Sequence, residues 1–150
     1  MGRYFQTKED LYRLLCAFYE KASSDPILIT KMNNADMIWR INCFDPKASV
    51  SVHFGDPKFC DEKALCYKTN GGEKMENHKD AHAVFSMSAD FHHSFWLGRE
   101  HMGNAIINGR VRASGNYLRA LAMIPDIRPI FRTYKNTLEE LGLAKLIPSK

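Results

Sequence analysis

The chain has 150 residues, 45% apolar and 25% charged, which excludes wholesale disorder and fibrous repeats. That length predicts one domain over residues 1–150, large enough to bury a core without metals or disulfides. The net charge of +4 is uneven: residues 1–98 carry 12 Lys/Arg against 13 Asp/Glu, and residues 99–150 carry 9 against 4. No apolar run approaches the roughly 18 residues that span a bilayer. The start, Met1 to Gln6, lacks the apolar stretch of a signal peptide, and the last residues are not a peroxisomal Ser-Lys-Leu. The expectation is a cytoplasmic protein. Cys16, Cys43, Cys60 and Cys66 show no Cys-x-x-Cys spacing and read as reduced thiols.

In chain order, Leu11, Leu14, Leu15, Phe18 and Tyr19 fall on one stripe and predict a helix over Glu9 to Ala22, closed at Ser23-Ser24-Asp25-Pro26. From Asp36 the period changes to two. Met37, Trp39, Ile41 and Cys43 alternate with more polar neighbours, then Ala48, Val50, Val52 and Phe54 do the same after Asp45-Pro46. This predicts two strands in a hairpin. Ala64 to Thr69 is a weaker third strand, ended by Asn70-Gly71-Gly72, and Glu73 to Asp80 is polar connection. Ala83, Phe85 and Met87 make a fourth strand. Ser88 caps a helix that runs to Gly98, and Met102, Ala105 and Ile106 mark a second one that ends at Asn108-Gly109. Val111 to Ser114 is a fifth strand. Asn116 caps a helix that Pro125 breaks, and Asp126 caps a final helix that Gly142 stops. The class is α+β: one mainly antiparallel sheet covered on one face by helices.

Several groupings of residues bear on chemistry. His78 and His82 stand four apart, but the zinc-protease signature needs Glu after the first His, and Lys79 stands there. Cys43, His53, Cys60 and Cys66 fall in or beside the hairpin without a recognisable tetrahedral spacing. Neither set predicts a metal. His92, His93 and His101 could supply acid–base chemistry, but sequence gives no orienting partner and favours surface histidines on an amphipathic helix. Gly98, Gly103, Gly109 and Gly115 match no phosphate-binding loop, and no nucleophile elbow is present. The sequence therefore predicts no catalytic residues and no cofactor.

What stands out is an apolar surplus after Phe91 on short helices broken by Gly and Pro, which leaves room for a cavity between helices and sheet. The motif run itself is Phe85-Ser86-Met87-Ser88-Ala89-Asp90-Phe91, Leu97-Gly98, Asn104-Ala105, then Asn108 through Asn116 and a helix from Leu118 to Leu121. In that order these features resemble the sterol carrier protein-2 domain family. The resemblance covers residues 84–122 by motif and most of the chain by topology. It implies a five-stranded sheet of order 3-2-1-4-5 with helices around an apolar tunnel. It also implies binding of fatty acyl chains, sterols or other lipids without catalysis, in some members as a domain of a larger enzyme. The region Cys60 to Thr69 departs from the family in lacking an Asp-Gly turn.

The reading is a lipid-binding or lipid-transfer module, not an enzyme, whose partner is a lipid or other apolar small molecule. The candidate lining is Phe91, Phe95, Trp96, Met102, Ile106, Leu121, Ile124, Phe131 and Tyr134. The segment after Pro125 is a candidate lid. Arg110 with Arg112 and Arg128 with Arg132 form a basic side suited to transient contact with anionic membranes or to a ligand head group. The alternative is an accessory domain or a small-molecule enzyme using His92, His93 and His101. Nucleic acid is not expected, because no stacking-aromatic motif accompanies the basic third.

Overall fold

Residues 2–58, 62–69 and 81–149 are described by the structure, a computed structural model. His78, Cys60 and the connection from Asn70 to Asp80 lie outside those residues. The elements are α1 (Lys8–Ser23), α2 (Pro26–Met32), β1 (Met37–Phe44), β2 (Ala48–Phe54), β3 (Leu65–Thr69) and β4 (Ala83–Ser88). They continue with α3 (Ala89–Trp96), α4 (Met102–Ile107), β5 (Arg112–Gly115), α5 (Tyr117–Ile127) and α6 (Pro129–Glu140), and end in a 3-10 turn at Ala144–Leu146. The five strands form one sheet of order β3-β2-β1-β4-β5. Three pairings are antiparallel, and β1 with β4 is parallel. The α+β class and the strand order agree with the sequence reading.

The period-2 pattern decides which side of the sheet is core. Trp39 opposite Val52, Ile41 opposite Val50, and Phe85 beside Ile41 place their side chains on one face. Phe18, Tyr19 and Tyr134 complete this core, where Trp39 meets Phe54 and Phe85 edge-on at 5.1 and 5.6 Å. Tyr67, opposite Val52, donates its hydroxyl proton to the carbonyl of Cys16 in α1, which shows that α1 covers this face. The other face carries Arg40, Asn42, Ser51 and His53, of which Ser51 and His53 are also buried.

Two helix boundaries differ from the sequence reading, both because of proline. Pro26 opens α2 rather than closing α1: the Asp25 carboxylate accepts from the Leu28 N–H at 3.0 Å, and proline suits a first turn whose N–H has no helical partner anyway. Pro125 does not break α5, which runs on to Ile127 with the Arg128 N–H bonded to the Ile124 carbonyl at 3.1 Å. Near the end of a helix, proline forfeits one ladder bond, and burial of Ile127 holds the turn in place. Asp126 consequently does not cap α6. It lies within α5 and pairs with Lys31 of α2 at 3.7 Å, while α6 begins at Pro129 with no side-chain cap.

Helix α6 packs its stripe of Ile130, Tyr134 and Leu138 into the core against α1, with Lys21 and Glu140 paired at the surface. The segment considered as a lid is thus largely core, and only its first turn reaches the cleft described next.

Candidate functional site: a cleft between α3–α4 and α5–α6

Helix α5 carries two stripes. Ala120, Met123 and Ile127 are buried against the body of the protein. Leu121, Ile124 and Arg128, at i, i+3 and i+7, lie one step round the helix; Leu121 and Ile124 are half-buried and Arg128 is exposed. They face Phe95 at the end of α3 and Met102 at the start of α4, and together with Phe131 of α6 they enclose a cleft of about 720 Å³. Phe95 and Phe131 stand edge-to-face at 5.4 Å and form an aromatic end wall. Its size lies in the range of small-molecule sites.

Glycine shapes the floor. Gly98, after α3, has φ of 78°, a left-handed conformation that side chains resist, and a Cβ there would sit 3.3 Å from the Phe131 ring. Arg99, Glu100, His101 and Arg128 are the charged and polar side chains of the lining. Arg99 donates to the Pro148 carbonyl at 2.6 Å, and Glu100 pairs with Arg110 at 3.0 Å. Arg128 is exposed, and no ion pair to it is present among the described residues.

Of the nine candidate lining residues, Phe95, Met102, Leu121, Ile124 and Phe131 border this cleft. The other four lie elsewhere. Trp96 and Tyr134 are fully buried behind the end wall, where Trp96 meets Phe18 and Phe131 at 4.8 and 5.8 Å. Phe91 sits beside Tyr4 and Asp90 in a separate depression, with the Arg110 guanidinium 5.2 Å over its ring. Ile106 packs half-buried against the core. Gly98, Gly103 and Pro125 were not among the candidates, and Arg128, expected on the basic side for a head group, lines the cleft as well.

The three histidines are separated by their hydrogen bonds. His92 is buried, and its Nε2 accepts the Trp96 indole N–H at 2.9 Å. Burial, helped by neighbouring His93, pushes its pKa down to about 3, so the ring is neutral. His93 Nε2 donates to the Leu146 carbonyl at 2.6 Å, which makes Nδ1 the acceptor of the Tyr134 hydroxyl at 2.7 Å. Burial lowers its pKa too, opposed in part by the Leu146 bond. His101 alone reaches the cleft. It caps α4, with Nδ1 accepting from the Asn104 N–H at 3.0 Å. In the other pair, His82 Nδ1 accepts from the Ile38 N–H at 2.9 Å and ties the start of β4 to β1.

No protein-family model and no curated protein matches the sequence. Solved structures do match the fold. Sterol carrier protein 2 from Yarrowia lipolytica, in its apo form, aligns with TM-score 0.56 and 15% identity over 91% of this chain and 97% of its own. A second sterol carrier protein 2 crystal structure aligns with TM-score 0.57 and 12% identity over 82% of this chain and 94% of its own. The inverting sec-alkylsulfatase Pisa1 from Pseudomonas sp. aligns with TM-score 0.52 and 13% identity. That match covers 75% of this chain but spans only 15% of the sulfatase. The chain therefore has the sterol carrier protein 2 fold, which also occurs as a minor part of a larger enzyme.

Proposed function

We propose that the protein binds a lipid or similar apolar molecule, a fatty acyl chain or a sterol-like ligand, in the α3–α4/α5–α6 cleft and carries it without transforming it. The observation that carries this reading is the second stripe of α5: half-buried apolar residues at helical spacing that line a cleft with an aromatic wall. Burying one methylene is worth about 0.8 kcal/mol, so eight supply roughly 6 kcal/mol before ordering costs. Arg99 and Arg128 in the lining suit a carboxylate or other anionic end, and Glu100 keeps that lining from being uniformly cationic. The fold shared with proteins named as sterol carriers supports the same reading.

A second reading, a ligand-presenting accessory domain beside an enzyme, is favoured by one finding, the partial match to the sulfatase. It uses the same cleft. Turnover by the His92, His93 and His101 region draws less support, since two of the three rings are buried and engaged in structural bonds.

Native mass spectrometry of the purified protein, followed by denaturing identification of what is released, tests the proposal. A one-to-one acyl or sterol-sized adduct is expected, with saturable uptake of a fluorescent acyl probe after delipidation. A Leu121→Asp variant places a charge in the wall and is expected to lower probe affinity by tenfold or more. Neither adduct nor saturable uptake at micromolar protein contradicts the reading.

A further inference from the structure

On the sheet face away from the helices, three chemically distinct ligands meet. The β2–β3 register sets His53 directly opposite Cys66, so both side chains leave the same side of the sheet. After Phe54 the chain reverses at Gly55, whose φ of 63° and contacts with Met32 and Ala35 leave no room for a side chain. That reversal returns Asp56 beneath His53. The Lys58 N–H holds Asp56 Oδ1 at 2.9 Å, and Oδ2 lies 3.3 Å from both His53 Nδ1 and Cys66 Sγ. The three ligand atoms all lie within 4.8 Å of one another.

We propose that His53 Nδ1, Asp56 Oδ2 and Cys66 Sγ bind one divalent cation of the zinc class, with Asp36 as the positioning residue behind the imidazole. Zinc bonds of about 2.0–2.3 Å in tetrahedral array put neighbouring ligand atoms roughly 3.3–3.8 Å apart. The two separations of 3.3 Å to Asp56 Oδ2 meet that requirement, and His53 Nδ1 and Cys66 Sγ, within 4.8 Å of each other, draw together by up to about 1 Å on binding. The set is mixed nitrogen, oxygen and sulfur, which suits zinc rather than the all-oxygen preference of calcium or magnesium. The fourth position falls to water.

The outer partner is the more telling feature. His53 Nε2 donates to Asp36 Oδ1 at 2.7 Å, so the nitrogen that turns toward Asp56 and Cys66 for an ion to take is Nδ1. A carboxylate behind the non-ligating nitrogen is the arrangement that orients metal-binding histidines. His53 and Asp56 are buried, whereas Asp36 is 56% exposed and Cys66 partly so, which gives an ion a way in. Without an ion, the Cys66 thiol donates to Asp56, and binding releases that proton to solvent as the Zn–S bond forms.

The full chain, reduced and delipidated, is titrated with Zn²⁺ against a chromogenic chelator and, separately, with Co²⁺ as a spectroscopic probe. One equivalent of Zn²⁺ and a near-ultraviolet thiolate-to-cobalt band are expected. The band is expected to vanish in Cys66→Ser and to persist in Cys16→Ser, whose thiol lies in α1. Should Cys66→Ser fail to fold, Asp36→Asn decides: asparagine tolerates the left-handed backbone at that position (φ 44°), and Zn²⁺ affinity is expected to fall roughly 10- to 100-fold. Failure of the wild type to retain Zn²⁺ overturns the proposal. A cobalt band that survives Cys66→Ser, or unchanged affinity in Asp36→Asn, does so as well.

Discussion

At the scale of single residues, His92 and His93 couple the fold to pH. Both are neutral when buried, because burial lowers their pKa, whereas the unfolded imidazole titrates near 6.5. Above that value neither state binds the proton and stability is full. As pH falls below about 6.5, the unfolded state takes up protons that the folded His92 refuses until about pH 3. Stability is expected to decline through this window by up to about 1.4 kcal/mol per pH unit for His92. Urea unfolding at pH 7 and pH 5 measures it. A His92→Gln variant, whose amide oxygen can still accept the Trp96 indole N–H but does not titrate, is expected to lose less between the two. An equal pH response in both proteins contradicts the assignment. None of this was legible in the sequence, where adjacent histidines on an amphipathic helix read as surface groups. Which side of a short helix is buried depends on what packs there, and Tyr134 and Leu146 arrive from more than forty residues away.

At the scale of elements, helical and strand periods located nearly every piece, since Leu11–Tyr19 and Val50–Phe54 alternate with the period of the structure they form. The missed α2 and the overextended role of Pro125 share one cause: proline at a helix start and proline near a helix end look alike in sequence. The cleft was half legible for a related reason. Periodicity marks Met123 and Ile124 as apolar alike, and only the neighbours decide that Met123 enters the core while Ile124 faces the cleft. Trp96 and Tyr134 were drawn into the candidate lining by the same ambiguity. The α3–α4 junction offers a direct check on how the elements shape this cleft. Gly98→Ala forces a left-handed alanine and presses on Phe131, so a loss of about 1–2 kcal/mol is expected, with weaker acyl-probe binding. Denaturant titration and probe fluorescence measure the two effects. An alanine variant as stable and as tight-binding as wild type contradicts this account of the floor.

At the scale of the whole molecule, the strand order came from a motif resemblance, because alternation identifies strands but is silent on which lie side by side. The charge asymmetry, by contrast, was visible at once and is now placed. Arg110 pairs with Glu100, and Arg119 bonds the Ala35 carbonyl, which leaves Arg112, Arg128 and Arg132 among the exposed cations. Ile107 and Leu118, 85% and 68% exposed, add apolar groups on the neighbouring α4 and α5. No helix among the described residues is long and apolar enough to cross a membrane. Each arginine near an anionic surface contributes about 1 kcal/mol, screened within about 8 Å at physiological salt. Co-sedimentation is expected to rise with anionic lipid, to weaken with salt, and to fall in an Arg128→Glu/Arg132→Glu variant. Equal pelleting with neutral and anionic vesicles contradicts this.

The claim on which the functional account rests is that the cleft itself takes the apolar ligand. Methyl NMR of the delipidated protein, titrated with a saturated fatty acid, reads that directly at Met102, Leu121 and Ile124, with Leu11 and Val52 in the core as references. Large saturable shifts are expected at the three cleft methyls, with one ligand per chain, and small shifts at the references. Cleft methyls that do not move, or that move no more than Leu11 and Val52, contradict the claim.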